Sequence, residues 1–229
     1  MQRCLVSISQ PTLFPWIGYF NIIKSSDTFV FFDNVKFEKR SWQMRNRIKS
    51  GTKDNEKEIW VRIPTKLEKF ETMIKDVLID NSQDWKKQHM NAFRSSYGKS
   101  WEDITFLKEM YLKDWENLTE FNIEFITNCC KFLDIKTTLL RASNLKAEGK
   151  RSSLLLNICK ELGATDYLTS IGARDYLEKD RNMFETENIK IHYHDYTHTI
   201  YKQHGKTFMP QLSVLDLLFN EKENANNFI

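Results

Sequence analysis

Hydrophobic positions along the chain follow two different periodicities. Short runs of β-branched and apolar residues occur near positions 3–8, 28–32, 137–141, 167–169 and 189–193, as is typical of strands buried in a parallel sheet. Most of the intervening segments carry apolar residues at every third or fourth position, the spacing of an amphipathic helix. This alternation predicts an α/β fold with a mostly parallel sheet flanked by helices.

Helical periodicity is densest between residues 81 and 133. A chain of 229 residues can form one hydrophobic core, so we expect a single α/β domain over 1–229 with a helical insertion or cap at about 81–133. The predicted helices span 16–24, 84–97, 101–112, 117–132, 152–162, 174–177 and 212–219.

A small antiparallel excursion is predicted ahead of the helical insertion. Residues 58–63 and 73–79 have strand character and are separated by a turn at Pro64. The segment 37–48 is too rich in charge to assign from its pattern.

Composition narrows the classes of function. Lysine and arginine number 34 against 31 aspartate and glutamate, a net charge of +3, which argues against a dedicated nucleic-acid-binding protein. No apolar run approaches the roughly 20 residues of a transmembrane helix, and the first residues lack the pattern of a signal peptide. We therefore expect a soluble, cytoplasmic protein without a transmembrane segment, whose four cysteines are free thiols.

The densest candidate chemistry lies between residues 39 and 49, where five cations, two amides and one indole occur. Arginine forks bind phosphates or carboxylates through paired hydrogen bonds, and a tryptophan face stacks on a base or a sugar ring. This composition predicts an anion pocket. The alternative is a solvated cationic edge strand with Trp42 in the core. The substrate-binding candidates are Lys39, Arg40, Ser41, Trp42, Gln43, Arg45, Asn46 and Arg47.

Two further candidate segments follow the first two predicted strands. Ligands of parallel sheets bind at the carboxyl ends of the strands, and the loop beginning at Gln10 is stiffened by two prolines, with Trp16 and Tyr19 just beyond. The alternative is an aromatic plug at the start of a helix. Asp33 directly follows the second strand, where a carboxylate acts as a base, binds a metal or caps a turn.

Downstream candidates are fewer. Gly172, Arg174 and Asp175 follow the strand at 167–169 and suit an anion, although an ordinary capped turn has the same pattern. The loops after the strands are expected to face one common crevice, and Tyr201 and Gln203 extend a polar, aromatic segment that is suited to form one wall of it. His192 and His194 would share one strand face, but no cysteine lies nearby and no H-E-x-x-H pattern occurs, so we predict neither a metal nor a cofactor.

In order along the chain, these motifs resemble those of the WbqC-like protein family. The resemblance runs almost from end to end. Members often carry histidine before the first glutamine, where this chain has Ser9, so position 9 is not expected to supply an essential acid or base. The matching stretches are Gln10-Pro11, Pro15-Trp16, Gly18-Tyr19-Phe20, Phe29-Val30-Phe31 with Asp33, Lys39 to Gln43 with Arg45-Asn46, Gly172 to Tyr176, Tyr201, Gln203 and Leu212 to Asn220.

The resemblance implies a role in bacterial O-antigen or other surface-polysaccharide biosynthesis. In such a pathway a cationic, aromatic crevice suits a nucleotide-linked sugar, with acyl or aminoacyl transfer to an amino sugar as the expected reaction. Asp33 or a neighbouring histidine would accept the amine proton, and Gln10 and Gln203 would orient polar groups; Gln10 is grouped with Asp33 as a catalytic candidate. The alternative is a non-catalytic binding or scaffolding protein. A homo-oligomer is compatible with either hypothesis.

Overall fold

The computed structural model describes residues 3–52, 54–66 and 71–229. In chain order the helices and strands are β1 (Leu5–Ser9), α1 (Ile17–Lys24), β2 (Thr28–Phe31), β3 (Arg45–Thr52), β4 (Asn55–Arg62), β5 (Thr65–Lys66), β6 (Leu78–Ile79), α2 (Trp85–Tyr97), α3 (Thr105–Leu112), α4 (Leu118–Phe132), β7 (Thr138–Arg141), α5 (Ser152–Glu161), β8 (Asp166–Ser170), α6 (Arg174–Leu177), α7 (Arg181–Thr186), β9 (Lys190–His194) and α8 (Val214–Glu221).

The chain divides into two units, between which it passes repeatedly. The sheet unit comprises Met1–Gln10, Asn21–Asn34 and Ile135–Thr197, and the hairpin unit comprises Pro11–Phe20, Val35–Asp134 and His198–Ile229. The prediction of one domain with a helical insertion at about 81–133 stays a prediction. None of the helices in the described ranges is both long and apolar enough to cross a membrane.

The sheet unit is built on five parallel strands in the order β7-β2-β1-β8-β9. The central strands are apolar because both of their faces are buried: Val6, Phe29, Val30 and Tyr167 are almost wholly inaccessible to solvent. The predicted α/β fold with a parallel sheet is confirmed, and each of the five predicted strands lies within a few residues of its observed position.

The hairpin unit contains the antiparallel excursion, with different strand partners from those predicted. β4 pairs with β3 along eight residues, and the short β5 pairs with β6. Of the predicted strand at 73–79, only Leu78–Ile79 forms a β-strand. Ile74–Asp76 forms a single 3-10 turn instead. β3 was not predicted, because its cations at 45, 47 and 49 replace the apolar residues by which a strand is recognised.

Helices α2, α3 and α4 confirm the helical character of residues 81–133. The side chain of Asn117 accepts hydrogen bonds from the backbone N–H groups of Thr119 and Glu120, which explains where α4 begins. These helices enclose an aromatic core around Phe14, whose ring lies 4.8 Å from that of Phe125 and 5.9 Å from that of Phe121. Such edge-to-face pairs stabilise the core beyond simple burial.

Candidate functional site

An exposed pair of tryptophans with two arginines marks one face of the β3–β4 hairpin. The strand register places Arg47 opposite Trp60 and Arg45 one pair further along the same face. The ring centroids of Trp42 and Trp60 are 5.7 Å apart, and the Arg45 guanidinium lies 4.5 Å from the Trp60 centroid. Trp42, Arg45, Arg47 and Trp60 are hereafter called the Arg–Trp surface.

The exposure of the Arg–Trp surface is unusual for residues of this size. Both tryptophans keep 49% of their surface accessible, although large aromatic side chains are generally well buried. The alternative of a core position for Trp42 is therefore wrong. An exposed aromatic group flanked by cations is a composition typical of binding surfaces rather than of solvated faces.

Arg47 lies beside both rings and is held in place by an ion pair with Glu58. Its guanidinium lies 5.7 Å from the Trp42 centroid and 5.8 Å from the Trp60 centroid, and its Nη1 donates to Glu58 at 2.7 Å. Its Nε is buried and has no hydrogen-bond partner among the described residues. Sequence reasoning missed Trp60 and Glu58, which become neighbours of Arg47 only through the hairpin register.

Other candidates between 39 and 49 divide into exposed and structural residues. Lys39 and Arg40 are exposed, whereas Ser41 is half-buried. Asn46 is buried, and its amide donates to the carbonyl oxygens of Leu13 and Phe14 at 3.1 and 2.8 Å. Gln43 is also buried, and its backbone carbonyl oxygen accepts a hydrogen bond from the side-chain amide of Asn122 at 2.8 Å. These contacts stabilise the loop through Phe14, which has a positive φ of 46°.

Trp16 and Tyr19 belong to the hairpin unit but differ in accessibility. The Trp16 indole is half-buried and folds over Gly18, where an added Cβ would lie 2.4 Å from Cη2 of the ring. Glycine at 18 therefore allows the observed position of the indole. Tyr19 is 7% exposed, and burial raises the pKa of its phenol well above the usual range.

Tyr201 and Gln203 take part in a buried hydrogen-bond network. The carboxylate of Asp216 accepts from the hydroxyls of Tyr201 and Tyr97 at 2.7 and 2.6 Å, and burial raises the pKa of Asp216. Gln203 donates to the carbonyl of Met209 at 2.9 Å and accepts from its N–H at 2.8 Å. These contacts fix the segment between Tyr201 and α8, which is a structural role.

A buried charge pair holds the same segment to the hairpin. Lys49 is fully buried; its Nζ donates to the Thr207 carbonyl and lies 3.5 Å from Glu56. The backbone N–H groups of Lys206 and Thr207 donate to the Glu56 carboxylate. The contact with Lys206 is the main reason that the pKa of Glu56 falls to about 2. Lys49 is thus unlike Arg45 and Arg47, because it has no exposed surface.

Asp33, in the sheet unit, accepts three hydrogen bonds from Arg141 and Ser143. Its fully buried carboxylate accepts from Arg141 Nε at 2.8 Å, from the Ser143 N–H at 2.9 Å and from the Ser143 hydroxyl at 2.8 Å. Arg141, which sequence reasoning missed, ends β7 beside β2. The contacts of Asp33 are those of a positioning residue, and its role as a base stays a prediction.

The remaining candidates of the sheet unit lie after β1 and β8. Gln10 is half-buried at the end of β1, whereas Gly172, Arg174 and Asp175 are exposed after β8. The Arg174 guanidinium lies 5.5 Å from the ring centroid of Tyr193 on β9. The predicted residues therefore fall into both units, and the prediction that they form one cationic, aromatic crevice stays a prediction.

The two strand histidines have separate partners. His192 Nε2 lies 2.5 Å from Asp166, and His194 Nε2 lies 2.7 Å from the side-chain oxygen of Asn21. Within residues 3–52, 54–66 and 71–229, no group of three or more histidine, cysteine or acidic side chains is placed to hold a metal ion. The four cysteines are free thiols, of which Cys129, Cys130 and Cys159 are buried and Cys4 is half-buried.

Comparison with known proteins identifies the family. The sequence pattern of the WbqC-like protein family matches residues 10–228. The chain belongs to this family. A relative from Mycobacterium tuberculosis, named "Uncharacterized protein Rv1507c", is 31% identical over 230 residues, covering 98% of this chain and 96% of the relative. No solved structure matches the chain significantly. The family match includes the whole Arg–Trp surface and the loops after β1 and β8 of this WbqC-like chain.

Proposed function

We propose that this WbqC-like protein is an enzyme of bacterial surface-glycan biosynthesis, of the O-antigen type. It would bind a nucleotide-linked amino sugar and transfer an acyl or aminoacyl group to the amine of that sugar. The observation that carries the proposal is the Arg–Trp surface, where two half-exposed indoles lie next to two guanidinium groups on one hairpin face.

The chemistry of this surface suits a sugar nucleotide. A nucleotide base offers a flat π-face, and stacking on an exposed aromatic side chain contributes about 1–3 kcal/mol per base. The diphosphate carries two negative charges, which arginine forks bind through paired, charge-assisted hydrogen bonds. Glu58 fixes Arg47 at 2.7 Å, so less side-chain entropy is lost when a phosphate binds.

The proposed reaction is nucleophilic substitution at an acyl carbon. The neutral amine nitrogen attacks the carbonyl carbon of an activated donor, a C–N bond forms, the bond to the leaving group breaks and the nitrogen releases a proton to a base. Asp33 and Gln10 are the proposed catalytic residues. The Asp33 carboxylate already accepts three hydrogen bonds, from Arg141 and Ser143, of the roughly four that its two oxygens can accept.

A second candidate function is that of a non-catalytic binding or scaffolding protein for glycan-assembly enzymes. Tryptophan and arginine are also the residues most enriched at the energetic centres of protein–protein interfaces. The exposed Trp42 and Trp60 beside Arg45 have this composition. The three internal hydrogen bonds of Asp33 also favour this alternative, because they leave a proposed base engaged in structure.

Turnover of defined substrates distinguishes the two functions. The protein is incubated with uridine- and thymidine-diphosphate amino sugars together with acyl and aminoacyl donors, and products are followed by mass spectrometry. We expect a product heavier than the sugar nucleotide by the transferred group. A Trp42→Ala/Trp60→Ala double variant should lose most of this product, whereas Lys57→Ala, on the opposite hairpin face, should retain it. Binding without product across the whole panel would contradict the enzymatic proposal and favour the scaffold.

A further inference from the structure

The order of strands in the sheet unit contains a reversal of direction. From β1 the chain moves to β2 and then to β7 on one side, whereas from β8 it moves to β9 on the other side. β1 and β8 are direct neighbours, with Leu5 opposite Asp166 and Ser7 opposite Leu168. The boundary between β1 and β8 is therefore the topological switch point of this sheet.

A switch point leaves a crevice at the carboxyl ends of the two strands. Open parallel sheets bind ligands at this place. In this chain the residues of the sheet unit at this place are Ser9 and Gln10 at the end of β1, and those from Ser170, the last residue of β8, to Arg174. We call these residues the switch-point crevice.

We propose that the switch-point crevice binds the phosphate group of a second substrate, the activated acyl or aminoacyl donor. The identification of the bound molecule as the donor rests on the proposed function, whereas the phosphate site itself does not. It assigns the two substrates to different residues: the sugar nucleotide to the Arg–Trp surface, and the donor to Gly172 and Arg174.

Gly172 is the first observation in favour of a ligand here. Its φ lies outside the left-handed region that favours glycine, and an added Cβ would meet only Ser170 Oγ, at 3.9 Å. By contrast, a Cβ at Gly51 would lie 2.0 Å from a backbone oxygen. Neither backbone strain nor packing within the described residues thus requires glycine at 172, and its exposed backbone without a side chain allows a ligand to approach closely.

The charges beside Gly172 are the second observation. Arg174 is exposed, and its guanidinium lies over Tyr193. The nearby Glu178 is bound by Arg181 through contacts of 2.8 and 2.5 Å, and it also interacts electrostatically with Arg174. Asp175 is exposed and adds one opposing charge. Phosphate recognition would therefore depend on the forked guanidinium and a backbone N–H rather than on net charge.

Calorimetric titration of the full chain tests this assignment. The probes are ATP and coenzyme A, which represent two sources of a donor phosphate, and a uridine diphosphate amino sugar for the Arg–Trp surface. For the donor probe that binds the wild type, Arg174→Ala should weaken binding about tenfold or more, the scale of one charge-assisted hydrogen bond. Affinity for the sugar nucleotide should be unchanged. Lys179→Ala, which removes one exposed charge from the same unit, is the matched control and should bind both normally.

Gly172→Ala gives an independent test, because we expect it to retain the melting temperature of the wild type while weakening the same probe. Unchanged affinity in both Arg174→Ala and Gly172→Ala would overturn the inference. So would failure of both donor probes to bind a wild-type protein that binds the sugar nucleotide, and this result would leave the proposed function intact. If a donor probe binds at Arg174 and no sugar nucleotide binds, the proposed function is contradicted and the phosphate site is supported.

Discussion

Replacing Asp33 by alanine is expected to lower the free energy of unfolding by about 3 kcal/mol, because it removes the acceptor of three hydrogen bonds and the ion pair between Asp33 and Arg141. The Asp33 carboxylate is fully buried, while the Arg141 side chain keeps 24% of its surface exposed. Because the cation stays partly solvated, the expected loss lies at the lower end of the roughly 3–5 kcal/mol found when a buried ion pair is broken. Urea denaturation followed by circular dichroism measures the change.

Ser143→Ala is the matched control for the Asp33 variant. It removes only the hydroxyl hydrogen bond and retains both the backbone N–H contact and the ion pair, so a loss of about 1 kcal/mol is expected. An Asp33→Ala protein as stable as the wild type but without turnover would contradict the positioning role. That result would instead support the predicted role of Asp33 as the base.

Lowering the pH from 6.5 to 4 is expected to destabilise the hairpin unit through His89. This imidazole is buried between the Tyr111 hydroxyl at 2.7 Å and the Arg62 carbonyl at 2.8 Å. Burial lowers its pKa from 6.5 to about 4. In that window the unfolded chain binds a proton that the folded chain does not, so stability falls as the pH falls. The shift corresponds to a loss of about 3 kcal/mol by pH 4.

Replacing His89 by glutamine isolates this contribution. Glutamine retains an amide that is able to donate toward Arg62 but has no titrating group, so the variant's stability should vary much less with pH between 6.5 and 4. Its absolute stability at neutral pH should be lower, because the ring also packs 5.8 Å from Phe14 and 5.4 Å from Trp85. The account of His89 is wrong if wild type and variant lose stability in parallel across this window.

Much of the fold follows from local pattern. The central strands of the sheet are continuous apolar runs because both faces are buried, and α2 and α4 are long enough to show their periodicity. α7 was missed because its six residues contain few apolar positions. β3 was missed because Arg45, Arg47 and Lys49 interrupt it, and such a strand becomes regular only once β4 pairs with it.

The candidate site was less predictable, since several of its residues acquire their roles through distant contacts. Trp60 and Glu58 join the Arg–Trp surface through cross-strand register, and Arg141 meets Asp33 across more than one hundred residues of sequence. Conversely, Asn46 and Gln203 carry the amides expected of ligand-binding residues but form hydrogen bonds to the backbone. Residue type alone does not distinguish an amide that binds substrate from one that stabilises a loop.

The most direct test of the central claim is the affinity of the Arg–Trp surface for a nucleotide-linked amino sugar, measured by titration calorimetry with Arg45→Ala and Lys57→Ala. Each variant removes one positive charge from the hairpin, but the two residues lie on opposite faces. We predict that Arg45→Ala weakens binding by about 1–3 kcal/mol and that Lys57→Ala leaves it unchanged. Equal affinities for the wild type and a correctly folded Arg45→Ala protein would contradict the account.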